Sequence, residues 1–280
     1  MCYEYVNIHN ITCCLCGYKM NKVIKSTNKG GIKLAITTNI TALIIIGSML
    51  YTAYPQKMCI SCITQRENKF TIGEKSISKT LDYFKEDIKM IQILDGNDEK
   101  KINVINNVIN NDILPKAEEA EKTSKEYFGM EGQEKPTFPF EVYSRYTIGA
   151  DNNAFISLYN DYYEYLGGAH GMTTRTSYTI DKEKEKLLTL KELFVQGYSF
   201  SDIINKSIKE EIEKYPNDYF DSGSEFKGIS ENQSFYIDGD NLIIYYQLYD
   251  IAPYVFGIPE FKIPLKLFGQ NYVYYKALSS

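Results

Sequence analysis

Histidine is almost missing from this sequence: His9 and His170 are the only two in 280 residues. A zinc hydrolase gathers several nitrogen or sulfur ligands around one ion, and the long C-terminal part holds His170 alone. A serine or cysteine nucleophile there would have that one side chain to turn to as base. No phosphate-cradling glycine loop is present, which removes the common nucleotide-using classes. Arginine is scarce as well, with Arg66, Arg145 and Arg175 set among many lysines, and asparagine and isoleucine are abundant, a pattern of AT-rich coding. Beyond residue 56 positive charge is in deficit, with 26 Lys+Arg against 35 Asp+Glu, a net charge of −9. Such a surface repels nucleic acid and steers cationic partners toward it, although on charge alone the commoner role of an acidic surface is to keep a domain soluble.

Charge of either sign is absent from residues 34–56, between Lys33 and Lys57. These 23 residues, at ~1.5 Å each, reach about 34 Å as a helix, enough for a bilayer. Thr37, Thr38, Asn39 and Thr41 dilute the first half, and Ala42 to Leu50 form the apolar centre. Lys19, Lys22, Lys25, Lys29 and Lys33 precede the run, whereas Lys57, Arg66 and Lys69 follow it with Glu67. That asymmetry predicts a single-pass signal anchor with a cytoplasmic N-terminus and an extracytoplasmic bulk. A cleavable signal peptide fits less well, because no small-x-small site stands near Ala53.

Residues 1–33 are read as a short cytoplasmic segment, with Met20 an alternative start. His9, Cys13 and Cys16 have a spacing suited to zinc, with Cys2 or Cys14 as a fourth ligand. The competing reading is a set of reduced cytoplasmic thiols, since Ile8, Ile11 and Thr12 argue against a helical frame. After the span, residues 57–68 form a stalk. Cys59 and Cys62 within it are free to pair outside the cell.

The remainder divides into residues 69–150 and 151–280. Residues 69–94 read as extended. Ile102, Ile105, Ile109 and Ile113 recur at helical spacing, and Pro115 limits or kinks that helix before Lys116–Phe128 continues. Phe138, Phe140, Val142, Tyr146 and Ile148 alternate with Glu141, Tyr143, Arg145 and Thr147 as a strand. Ala154–Tyr165 returns, with Tyr159, Tyr163 and Tyr165 on one face. Gly167, Gly168, His170 and Gly171 turn the chain into a third strand, Thr173–Asp181. Thr189 and Glu192 form a capping box for a short helix. Residues 202–214 read as a helix with Ile203, Ile204, Ser207, Ile208 and Ile212 inward, halted by Pro216. Residues 217–231 read as a long polar loop. A hairpin spans 234–237 and 241–249, and a last strand covers 260–264. The expected class is α+β, an antiparallel sheet with helices packed on one face, preceded by the single transmembrane helix.

Three blocks carry a resemblance: Tyr165-Leu166-Gly167-Gly168-Ala169-His170-Gly171, Leu190-Lys191-Glu192-Leu193-Phe194, and Tyr249-Asp250-Ile251-Ala252-Pro253 followed by Gly257, Phe261 and Pro264. In this order they resemble the extracytoplasmic domain family shared by RsiV-type anti-sigma factors and the N-terminal region of PdaC-type peptidoglycan deacetylases. The resemblance implies a binding domain rather than an enzyme, with lysozyme or a cell-wall component as outer ligand and a sigma factor as inner partner. It implies no cofactor. Carried onto this chain, the binding residues are Tyr163, Tyr165, Gly167, Gly168, His170, Gly171, Tyr249 and Pro253. The metal-dependent catalytic motifs of the deacetylases are not found here. Two features depart from the pattern: the inner segment is short for masking a sigma factor, and the stalk lacks a small-residue cleavage site. The alternative is a cell-wall enzyme accessory, or a weak hydrolase using His170.

Overall fold

The computed structural model describes residues 5–12, 19–25, 70–130 and 137–278. They belong to two units, Met1–Cys62 and Ile63–Ser280. In the first, β1 (Tyr5–Thr12) and β2 (Lys19–Lys25) pair antiparallel, with a register break between Ile8 and Ile11. The β-branched residues that oppose a helix thus sit in a strand. His9 falls in β1. Cys13 and Cys16, the apolar run 34–56 and the stalk cysteines lie outside the described residues. Among the described residues no helix is long and apolar enough to cross a membrane.

The second unit is α+β. Its larger sheet holds six strands in sequence order: β3 (Thr71–Thr80), β4 (Phe84–Asp95), β5 (Phe140–Asp151), β6 (Phe155–Tyr165), β7 (Met172–Asp181) and the short β8 (Lys186–Leu187). Every pairing is antiparallel except β4 with β5, where Phe84 lies opposite Phe140 and Ile88 opposite Ser144. The sheet is therefore mixed rather than antiparallel. The connection between those two strands is the helix α1 (Glu99–Phe128), long enough to return the chain to the same end of the sheet.

Asp98 caps α1 by accepting from the amides of Lys100 and Lys101 at 3.0 and 3.4 Å. The isoleucine stripe Ile102, Ile105, Ile109 and Ile113 is buried against Ile88, Met90, Val142, Leu158 and Tyr178. Each such side chain contributes roughly 1.5–3 kcal/mol by leaving water. Pro115 does not end the helix. It lacks only its own amide hydrogen bond, and beyond it the narrow face Ala117, Ala120 and Ser124 stays buried. Ser124 Oγ donates to the Tyr83 carbonyl at 2.8 Å.

A second sheet, ordered β11–β10–β9, is formed by β9 (Phe235–Asp238), β10 (Asn241–Tyr245) and β11 (Glu260–Pro264). One face gives Ile237, Leu242, Ile244, Phe261 and Ile263 to a core closed by Ile204, Ile208 and Ile212 of α2 (Phe200–Lys214). The other face turns Tyr236, Ile243 and Tyr245 toward Tyr159 of β6. The expectation of helices on one face holds for α1, but it did not include a second sheet, which covers the far side of β6 and β7. Its seam is polar and satisfied: Ile237 N–H donates to Ser157 Oγ at 2.8 Å, and Ser177 Oγ donates to the Phe235 carbonyl at 2.5 Å.

Two further expectations are revised and a third is met. Phe138 precedes β5 and is 73% exposed, while Ile148 borders a bulge at Ile148/Ala150 and is also exposed. Ile148 keeps the face that alternation gives it, opposite Leu158, and is exposed there all the same. Residues 217–231 are not simply polar, since Phe226 packs into the second core and short 3-10 turns occupy 216–218 and 220–223. The capping box is present, with Glu192 Oε2 accepting from the Thr189 amide at 3.0 Å.

Candidate functional site

The meander β5–β6–β7 sets alternate residues on one face: Glu141, Tyr143 and Arg145 from β5, Tyr159, Asp161, Tyr163 and Tyr165 from β6, and Thr173, Arg175 and Ser177 from β7. The second sheet covers the end of this face that bears Ser157 and Ser177. The other end carries tyrosines toward the β6–β7 turn.

That turn is built from glycine for two reasons. Gly167 and Gly168 have φ of 94° and 90°, in the left-handed region that side chains disfavour. Gly171 has an ordinary φ but lies against the Tyr163 ring, where a Cβ would overlap it. Tyr165 Oη donates to the Gly168 carbonyl at 3.2 Å and ties the turn to its own strand. Tyr143 and Tyr163 rings lie 6.1 Å apart across β5 and β6, and Tyr143 Oη donates to Glu141 Oε2 at 2.9 Å. Burial raises the Tyr163 hydroxyl above its ordinary pKa, and Glu141, Tyr254 and Tyr165 nearby push it further up. The phenol is neutral at physiological pH.

The segment between β10 and β11 completes the cluster. Tyr254 stacks on His170 with centroids 4.2 Å apart and planes 26° from parallel, and its hydroxyl donates to the Gly171 carbonyl at 3.1 Å. His170 Nδ1 lies 3.0 Å from that same carbonyl, a contact that assigns the proton to Nδ1. Tyr249 lies 5.7 Å from Tyr254, giving a ladder Tyr249–Tyr254–His170. Tyr249, expected in a strand, lies beyond the end of β10 with φ of 67°. The cause is a tight local closure: Asp250 Oδ2 accepts from the Gln247 amide at 2.8 Å, and the Asp250 amide donates back to the Gln247 carbonyl at 3.1 Å. A tyrosine in that conformation costs about 1–3 kcal/mol, a cost concentrated at functional sites. Tyr249 and Phe256 are about half exposed, and Val255 is 82% exposed.

Of the residues expected to bind, Tyr163, Tyr165, Gly167, Gly168, His170, Gly171 and Tyr249 come together here, with Pro253 next to Tyr254 at the edge. Three members were not among the residues expected to bind: Tyr254, Tyr143 and Arg175. Arg175 is 9% exposed. Its Nε and Nη2 fork onto Asp161 at 2.6 and 2.8 Å, Nη1 pairs with Glu260, and its guanidinium lies 3.8 Å over the Tyr159 ring. Burial opposes its charge, yet hydrogen bonding to Asp161 and the field of Asp161 and Glu260 more than offset this and raise its pKa. Arginine's rarity in this chain was the available signal.

Residues 77–173 match the family model "Deacetylase PdaC", and residues 191–266 match "Protein of unknown function (DUF3298)". The chain is 28% identical over 210 residues to the anti-sigma-V factor RsiV of Bacillus subtilis, covering 66% of this chain and 72% of that one. A crystal structure of a DUF3298 family member from Bacteroides fragilis superposes with a TM-score of 0.55 at 18% identity, over 71% of this chain and 92% of that one. That likeness supports the fold.

Proposed function

We propose, from the matches of residues 77–173 and 191–266 to the PdaC and DUF3298 models and the similarity to RsiV, a membrane-anchored extracytoplasmic sensor that binds a cationic protein, lysozyme being the first candidate. The observation that carries this reading is the half-exposed ladder Tyr249–Tyr254–His170 beside Tyr143, Tyr163 and Glu141. Stiff aromatic rings supply contact area at low entropic cost. They also attract guanidinium and ammonium groups through their π faces, which the Arg175–Tyr159 stack does inside this protein. The −9 charge beyond residue 56 adds long-range steering of the same sign. A wall polymer is the competing ligand, and a sigma factor is the proposed partner of the N-terminal segment.

Binding rather than hydrolysis suits His170, whose ring lies flat on Tyr254 with Nδ1 engaged by a backbone carbonyl. The test is calorimetric titration of the purified chain with lysozyme at several salt concentrations. Saturable one-to-one binding that weakens with salt and is lost in Tyr254→Ala supports the reading. No heat at low salt removes lysozyme as ligand. Turnover of wall polymer that disappears in His170→Ala would replace binding with catalysis.

A further inference from the structure

We propose that Arg175 is the positioning residue of this site: its backbone holds one end of the segment that carries Tyr249 and Tyr254 and its guanidinium holds the other through Glu260, so the placement of the ring ladder depends on that ion pair. The proposal rests on the preceding reading only in taking the ladder as the binding surface.

The segment leaves β10 through Gln247 and re-enters the second sheet at Glu260, the first residue of β11. Both ends meet the same residue of β7. Gln247 Oε1 accepts from the Arg175 amide at 3.0 Å and Gln247 Nε2 donates to the Arg175 carbonyl at 2.7 Å, so an amide side chain imitates one step of a strand ladder. Glu260 at the return point pairs with Nη1 of the same arginine. Tyr245 Oη adds a donation to the Arg175 carbonyl at 3.3 Å. Tyr254 ties the middle of the segment to the β6–β7 turn, by its hydroxyl on the Gly171 carbonyl and its ring on His170, and buried Ile251 ties it to the second core, its carbonyl accepting from the Phe220 amide at 3.0 Å.

The chemistry calls for arginine. One planar group must fork onto Asp161 of β6, extend a third donor to Glu260 of β11, and lie flat on Tyr159. A lysine ammonium supplies a single point charge and cannot meet the fork and the third partner together. The clamp joins the region matched as PdaC to the region matched as DUF3298, because Asp161 lies in the first and Gln247 and Glu260 in the second. A buried ion cluster that only stabilised the fold would be felt throughout both cores. A positioning clamp is felt locally.

The experiment is amide hydrogen exchange on the full chain in detergent micelles, comparing wild type with Arg175→Lys, Gln247→Ala and Glu260→Ala, alongside lysozyme titration. Glu260 is partly exposed, so its variant retains the fold even if Arg175→Lys does not. The expected result is about tenfold faster exchange confined to residues 246–257, with protection in β6 and α1 unchanged. Lysozyme affinity falls by a similar factor, although every ring is intact. Exchange at 246–257 that matches wild type overturns the proposal, and so does acceleration spread evenly over both cores. If wild type binds no lysozyme while the local exchange response is present, the clamp stands and the ligand reading falls.

Discussion

Gly171 lies beneath the ring of Tyr163 with no room between them for a methyl group. Its backbone is not in the left-handed region, so the requirement for glycine is one of contact rather than of conformation. Gly171→Ala is expected to force the Tyr163 ring out of its pairing with Tyr143 and to destabilise the protein by roughly 1–3 kcal/mol. Urea denaturation followed by circular dichroism measures this. A midpoint equal to wild type would mean that the ring yields freely.

Tyr249 separates stability from binding. Replacing it with glycine relieves the left-handed strain while adding backbone freedom to the unfolded chain, so stability should change by no more than about 1 kcal/mol. Binding should nevertheless weaken, because the outer ring of the ladder is gone. A variant that is equally stable and equally tight would show that Tyr249 faces no ligand.

Asp181 governs an acid limb. Burial alone would raise its pKa, but the Lys184 amide at 2.7 Å, the Tyr274 hydroxyl at 2.7 Å and the Lys184 ammonium at 3.1 Å outweigh it, and the folded value lies below the ordinary 3.8. A depressed folded pKa gives stability that is fully present above 3.8 and lost as pH falls through the folded value. Asp181→Asn should cost about 1–3 kcal/mol at neutral pH and flatten the loss of stability below pH ~4. Denaturation midpoints collected from pH 2 to 7 decide the point.

Three tyrosines near the second core should respond differently to losing a hydroxyl. Tyr246 Oη and Tyr272 Oη are buried with no hydrogen-bond partner among the described residues, whereas Tyr274 Oη donates to Asp181. Burial pushes the Tyr246 phenol up to about 12. Removing an unpartnered hydroxyl removes a desolvation cost, so Tyr246→Phe and Tyr272→Phe should leave stability equal or raise it by up to about 1 kcal/mol. Tyr274→Phe should lower it by roughly 1–2 kcal/mol through loss of a bond to a charged acceptor. Thermal melts of the three variants under one condition make the comparison.

Much of the fold was legible because local rules and tertiary packing agree. The isoleucine stripe of α1, the β5–β7 meander and the Thr189 capping box are where periodicity and turn chemistry place them. The parallel pairing of β4 with β5 was not read, since alternation looks the same in either direction. The long helical connection between them was the clue, because antiparallel neighbours need only a short turn. The site was legible as a glycine-rich turn and a proline-bearing segment, but not as a cluster. Gln247 and Glu260 meet Arg175 across 72 and 85 residues of chain, and no spacing rule reaches that far. Tyr249 was misread as strand because nothing before the fold shows that Asp250 will close on Gln247.

The parallel seam also orders events during synthesis. When α1 has emerged, β4 has β3 along one edge, but its other edge waits for Phe140 to Ser144. Until then Ile88 and Met90 sit in a strand whose remaining amides and carbonyls invite any extended segment nearby. Closure needs a loop spanning the whole helix, a slow step compared with forming the β6–β7 hairpin. A fragment ending before residue 140 should therefore aggregate through β4, whereas one carried through β7 has that edge capped by its own chain.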